Sequence, residues 1–110
     1  MDLWKEINAL CTLVERAITE LKERGRMYAK AEHDYRVALS KRLTTLRAEG
    51  QAVTHLLDIA KGEEAIARLR MERDIAEALY KTAQEAINVY KVKIRVLENQ
   101  LSREWGGKNG

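Results

Sequence analysis

Apolar residues recur along the first half of the chain at alternating steps of four and three. Leu3, Ile7, Leu10, Val14, Ala17 and Leu21 form the first run, and Tyr28, Glu32, Tyr35, Leu39, Leu43 and Leu46 continue it. This spacing keeps one face of a helix turned to a partner and predicts one helix over residues 2–49. Gly25 lies inside the run. An internal glycine costs about 1 kcal/mol against alanine, too little to end so regular a pattern. Gly50 is a suitable stop, because glycine accepts the left-handed backbone of a helix terminus. A second seam begins beyond residue 62. Ile66, Leu69, Arg73, Ala76, Tyr80, Ala83, Ile87, Tyr90, Ile94, Leu97 and Leu101 step in threes and fours without a slip. That heptad predicts a helix over 63–105 with left-handed supercoiling. Between the two, Thr54 is placed to cap a short helix over 55–61 that Gly62 ends.

The stretch VYKVKIRV, residues 89–96, alternates Val92, Ile94 and Val96 with Lys91, Lys93 and Arg95, a strand-like pattern. The heptad continues through it, no turn signal flanks it, and no second strand exists to satisfy its backbone, so helix is expected. Two helices of similar length joined by a short corner predict an antiparallel hairpin. Placing Leu46 opposite Ile66 makes partner numbers add to about 112. Tyr80 then faces Glu32, Ile87 faces Gly25, and Trp4 meets Trp105 near the open end, where the rings would clamp the termini. Glu32 would accept a hydrogen bond from a tyrosine hydroxyl and so fix the register, with Arg73 a similar polar member of the other seam.

The second helix carries another apolar stripe: Met71, Ile75, Leu79, Ala86, Val89, Val92 and Val96. A two-helix hairpin cannot cover two faces of one helix. Burying a large aliphatic side chain contributes about 1.5–3 kcal/mol, while ordering each residue costs about 1.5 kcal/mol. One seam is insufficient for some hundred residues, so the stripe is expected to meet another copy, giving a homo-oligomeric helical bundle. The expected organisation is one all-α domain over 1–105, followed by a disordered tail over 106–110.

Composition agrees with this picture. There is no proline, phenylalanine is absent, and three of the six glycines fall in the last five residues. The abundance of Ala, Leu, Glu, Lys and Arg is that of long helices. Twenty basic and 17 acidic groups leave a net charge of +3, too mild for a dedicated DNA-binding domain. The single Cys11 excludes an internal disulfide framework and a cysteine-based zinc site, and is read as a small seam residue. A reducing, cytoplasmic setting is the simplest expectation. No apolar run approaches the roughly 18 residues of a membrane span. The opening MDLWKEINAL has acids where an export signal has a basic leader.

Candidate chemistry is sparse. His33 has Asp34 beside it, but helix neighbours diverge by about 100°, so a general base with an orienting partner is not expected. His55 and Asp58 are spaced for one helix face, yet a metal site needs three or four ligands. The corner EGQAVTHLLDIAKGEEAIARLR faintly suggests a helix-turn-helix. Its second element would begin with Glu63 and Glu64, which repel phosphate and are better explained by the helix dipole. The strongest candidate is a basic band. Lys22, Arg24, Arg26 and Lys30 lie on the first helix, and Lys91, Lys93 and Arg95 on the second, with no acid between Glu85 and Glu98. In the expected register the groups share one level. Arg24, Arg26, Lys91, Lys93 and Arg95 would bind an anion, while Tyr28 and Tyr90 would stack on a base. The competing explanation is two solvated helix flanks. No phosphate loop, metal-ligand series or nucleophile constellation is present, so neither an enzyme nor a cofactor is expected.

The runs GRMYAKAEHDYRVALSKRL, LRAEG and DIAKG, with the closing EAINVYK, LENQL and REWG, resemble small all-helical proteins carried by phages and prophages of Gram-positive bacteria. The resemblance covers nearly the whole chain and includes no catalytic motif. It implies a viral protein in the cytoplasm of a host bacterium. The leading expectation is a non-catalytic inhibitor of host defence. Acting as a homo-oligomer, it would sequester a nucleotide-type anionic signal or block a defence protein. The alternatives are a nucleic-acid-associated accessory of phage replication or recombination, and a purely structural protein-binding bundle. No membrane partner is expected.

Overall fold

The computed structural model describes residues 2–109, with side chains through Trp105. The fold is all-α, in the order α1 (Leu3–Ala48), a 3-10 turn (Val53–His55), α2 (Leu56–Gly62) and α3 (Glu64–Asn109). There is no strand among the described residues, and VYKVKIRV is helical throughout. α3 runs past its expected end at 105 to Asn109. Extending an existing helix needs only one hydrogen bond per residue added, whereas starting one is costly. Gly110 lies outside the described residues.

Local chemistry sets the ends. The Trp4 and Lys5 amides donate to Asp2 Oδ1 at 3.0 and 3.3 Å, capping α1. At the other end Gly50 has φ +87°. The Gln51 amide donates to the Leu46 carbonyl at 3.2 Å, and the Gly50 amide to Arg47 at 3.1 Å. These are the two bonds of a Schellman motif. Thr54 does not cap α2: it sits inside the 3-10 turn, and His55 occupies the cap position without a side-chain bond. The turn's own His55 amide to Ala52 carbonyl bond, at 3.0 Å, organises this entry instead.

Two compact units share the helices. One comprises Met1–Glu23 with Lys81–Gly110, the other Arg24–Tyr80. Both long helices pass from one unit into the other unbroken, so no linker signal betrays this division.

In the unit Arg24–Tyr80, α1 and α3 run antiparallel. Gly25 lies against Tyr80, Tyr28 bonds Glu77, Glu32 pairs with Arg73, and Arg42 with Glu63. Each of these pairs adds to 105, one heptad from the expected 112. Tyr80 therefore meets Gly25 rather than Glu32, and Gly25 is not opposite Ile87. The corner explains the shift. Leu46 packs on Leu56 and Ala60 of α2, with Leu39 and Leu43 beside them. Because α2 occupies the ground assigned to Ile66, α3 enters further down α1.

In the other unit, Leu3, Ile7, Ala83 and Ile87 are buried. Trp4 and Trp105 line one groove with Ile7 and Leu101. Both indoles stay 58% exposed, so they border the groove and do not close it.

Candidate functional site

The five basic and two aromatic candidates divide between the units. Arg24, Arg26 and Tyr28 belong to the unit Arg24–Tyr80, whereas Tyr90, Lys91, Lys93 and Arg95 belong to the other. Tyr28 is already engaged. Its hydroxyl donates to Glu77 Oε2 at 2.8 Å, and its ring lies 6.0 Å from Tyr80 at 34°. The bond to Glu77, followed by desolvation, pushes the phenol above its ordinary pKa. Arg24 borders an apolar groove with Met27, Ile75 and Leu79. Arg26 is exposed. Tyr90 lines a groove with Leu13, Ala17 and Ala86. Lys91, Lys93 and Arg95 are all exposed. Along α3, Lys91 and Arg95 are one turn apart on one side, while Lys93, two residues from each, points to the opposite side of the helix.

The most organised polar cluster centres on Arg73. Its Nη1 donates to Glu32 Oε2 at 2.8 Å and its Nε to Asp74 Oδ1 at 2.8 Å. Its guanidinium lies 4.9 Å from the centre of the Tyr35 ring, within cation–π range. Glu32 also accepts from Arg36 Nε. Arg36, then Arg73, hold the Glu32 carboxyl below its ordinary pKa. Arg73 is raised in turn, chiefly by Glu32. Glu32 is thus a register residue, but its partner is arginine; the acceptor for tyrosine is Glu77. A polar pair across a seam selects one alignment, because any slip strands both groups.

A second clamp ties the corner. Arg42 donates through Nε and Nη2 to the two oxygens of Glu63, at 2.7 and 2.8 Å. The fork lowers the Glu63 carboxyl pKa and raises that of Arg42. Glu63 also closes α2, its amide bonding Ala60, and opens α3 by accepting from the Ala67 amide. Glu63 was legible as a dipole-favoured acid, but its long-range partner Arg42 carried no sequence signal.

His33 Nδ1 lies 3.3 Å from Asp34 Oδ1, against the expectation that these neighbours diverge. Long side chains on adjacent positions lean together at an exposed flank. Asp34 is held mainly by Lys30, at 2.7 Å, which lowers its pKa ahead of His33. Cys11 is exposed, correcting its place as a seam residue: it falls beside Leu10, one step off the buried face. No group of three or more His, Cys, Asp or Glu that could hold a metal occurs among the described residues. No described helix is long and apolar enough to cross a membrane.

These ion pairs fix a pH response. Glu32, Glu63 and Asp34 have folded pKa values below their unfolded ones. Their contribution is therefore present above the unfolded carboxylate range, about pH 4, and is lost as pH falls through the folded values. Thermal unfolding from pH 7 to pH 2 should show the midpoint falling below about pH 4.5. Glu32→Gln with Glu63→Gln should flatten that fall. An unchanged acid limb in the double variant would assign the response to other groups.

Outside the seam, α3 presents its apolar stripe to solvent: Met71 54%, Ile75 52%, Leu79 41%, Val89 43%, Val92 55% and Val96 56% exposed. The seam positions Ile66, Ala83 and Ile87 are at most 8% exposed. No family model, curated protein or solved structure matches the chain.

Proposed function

We propose that this chain is a non-catalytic binding protein that works as a homo-oligomer. In the phage setting implied by its resemblance, it would block a host defence component through protein contact. The observation that carries this reading is the half-exposed stripe on α3. Extended apolar surface of this kind marks interaction sites on soluble proteins. The ionisable clusters of the unit Arg24–Tyr80 favour it too, because they are spent on holding helices in register.

The mass in solution gives the first test. A 12.6 kDa chain should travel as a multiple of that mass at micromolar concentration, and a folded monomer would overturn the reading. Native mass spectrometry of the protein from defence-expressing cells gives the second. An oligomer carrying a stoichiometric host protein supports it, and a bare oligomer removes the blocking role.

The run from Lys91 to Arg95 favours a second reading, capture of an anionic, nucleotide-type ligand. Three exposed cations lie on α3 with no acid between Glu85 and Glu98. Arg24 and Arg26 fall in the other unit and Tyr28 is engaged, so this site is narrower than the seven-residue band. Lys91→Glu with Arg95→Glu, which share one face, should weaken binding of a cyclic dinucleotide or an oligonucleotide by about tenfold or more. A steep salt dependence that grows with strand length would indicate nucleic acid. Unchanged binding in the variant would reject the site.

A further inference from the structure

The apolar stripe of α3 has nearly the same spacing from either end. Met71 with Val96 and Ile75 with Val92 each add to 167, and Leu79 with Val89 to 168. The six side chains therefore lie almost symmetrically about the level of Ala83 and Gln84. α3 is one uninterrupted α-helix across them.

The charges beside the stripe carry the opposite symmetry. Glu72 follows Met71, and Lys93 follows Val92. Asp74 precedes Ile75, and Arg95 precedes Val96. Residues just after and just before a stripe position fall on opposite flanks of a helix. Glu72 and Lys93 thus share one flank, and Asp74 and Arg95 share the other. When two such helices pair antiparallel about a two-fold axis, each flank meets its own counterpart with the levels reversed. Glu72 of one copy then faces Lys93 of the other, and Asp74 faces Arg95, each pairing occurring twice. Near the ends, Glu64 reaches the level of Arg103. Within the chain Asp74 already accepts from Arg73 and Glu64 lies 3.5 Å from Arg68; a carboxylate has lone pairs for a further donor. A parallel, in-register pair would instead put Lys93 of one copy beside Arg95 of the other, and such like-charge juxtaposition selects against it.

We propose that a second copy of this chain covers the stripe, α3 against α3 and antiparallel, centred at Ala83–Gln84. The inference rests on the self-association reading above and adds to it an orientation and a register. At half-exposure, the six side chains leave on the order of 500 Å² per copy and ~1,000 Å² per pair, the lower bound for a specific interface.

Cross-linking tests the arrangement on the full chain. The exposed Cys11 is first replaced by serine, and I75C and V92C are then prepared separately in that background. Under mild oxidation, the mixture should form a disulfide-linked dimer of one chain of each kind, while either protein alone should not. Self-linking of either variant overturns the antiparallel register. So does an absence of cross-links in chains that still sediment as oligomers, whereas folded monomers overturn self-association itself. Charge provides an independent arm. Glu72→Lys with Asp74→Lys, and separately Lys93→Glu with Arg95→Glu, should each weaken self-association by about tenfold or more. Mixing the two should give a heterodimer at least as tight as the parent. Variants that keep parental helicity by circular dichroism yet fail to pair on mixing would overturn the proposal.

Discussion

Leu46→Ala is expected to lower the thermal midpoint of the chain by about 10–20 °C. Leu46 is 3% exposed and sits where α1 receives the corner, against Leu56 and the fully buried Ala60. Removing a buried leucine side chain costs about 2–5 kcal/mol, the upper end applying where surroundings cannot collapse. Here collapse is opposed. The Gln51 amide is bonded to the Leu46 carbonyl, Gly50 is turned into its left-handed conformation, and Arg42 clamps Glu63. At about 4–8 °C per kcal/mol for a domain of this size, even the lower end is readily measured by circular dichroism. Hydrogen exchange should show α2 losing protection first, since Leu56 and Ala60 are its two buried residues. A midpoint within about 3 °C of the parent would mean that this corner is not where the fold is tied.

Gly25→Leu is the second large effect, and its sign is the interesting part. On helix propensity alone, leucine should stabilise by nearly 1 kcal/mol. A Cβ at this position, however, would stand 3.1 Å from Tyr80 Cε2 and 3.5 Å from Cδ2. The Tyr80 ring has Tyr28 beside it, and Tyr28 is fixed by its bond to Glu77. Overpacking of this kind typically costs about 1–3 kcal/mol, so net destabilisation is expected from chemical denaturation. In a Tyr80→Ala background the obstruction is gone, and the same substitution should become neutral or stabilising. That sign reversal would fail to appear if Gly25 were merely a tolerated weak point of the helix.

Periodicity alone located α1, α3 and the buried face of each, because a heptad is a direct record of which positions meet a partner. The strand-like VYKVKIRV stretch was resolved on the same ground. Register was missed by one heptad because nothing in the residue pattern states how much of α1 the corner helix will cover. That length is set by Leu56 and Ala60 docking on Leu46, a contact between residues whose spacing carries no period. The basic band depended on the same unknown. Its two halves were aligned by an assumed register, and Arg24, Arg26 and Lys30 fall in one unit while Lys22 falls with the α3 cations in the other. The bond from the Tyr28 hydroxyl to Glu77 was not legible, because Glu77 is off the expected seam. The Arg73 and Glu32 pair was half legible: both were recognised as polar seam members, but not as partners.

The two functional readings compete for the same side chains. In the proposed antiparallel pairing of α3, Lys93 and Arg95 would be neutralised by Glu72 and Asp74, respectively, of the second copy. An anion would then compete with association, so added nucleotide should shift the oligomer toward monomer if both processes occur. The opposite shift, tighter assembly on adding nucleotide, would place the ligand between copies.

The placement of the indoles has a practical corollary. Both tryptophans lie in the unit Met1–Glu23 with Lys81–Gly110, whereas Tyr28, Tyr35 and Tyr80 all lie in the other. Emission excited at 295 nm therefore watches one half of the chain, while ellipticity at 222 nm watches both. Denaturation curves recorded with these two signals will superimpose if the halves melt as one cooperative body, and will separate if each melts on its own.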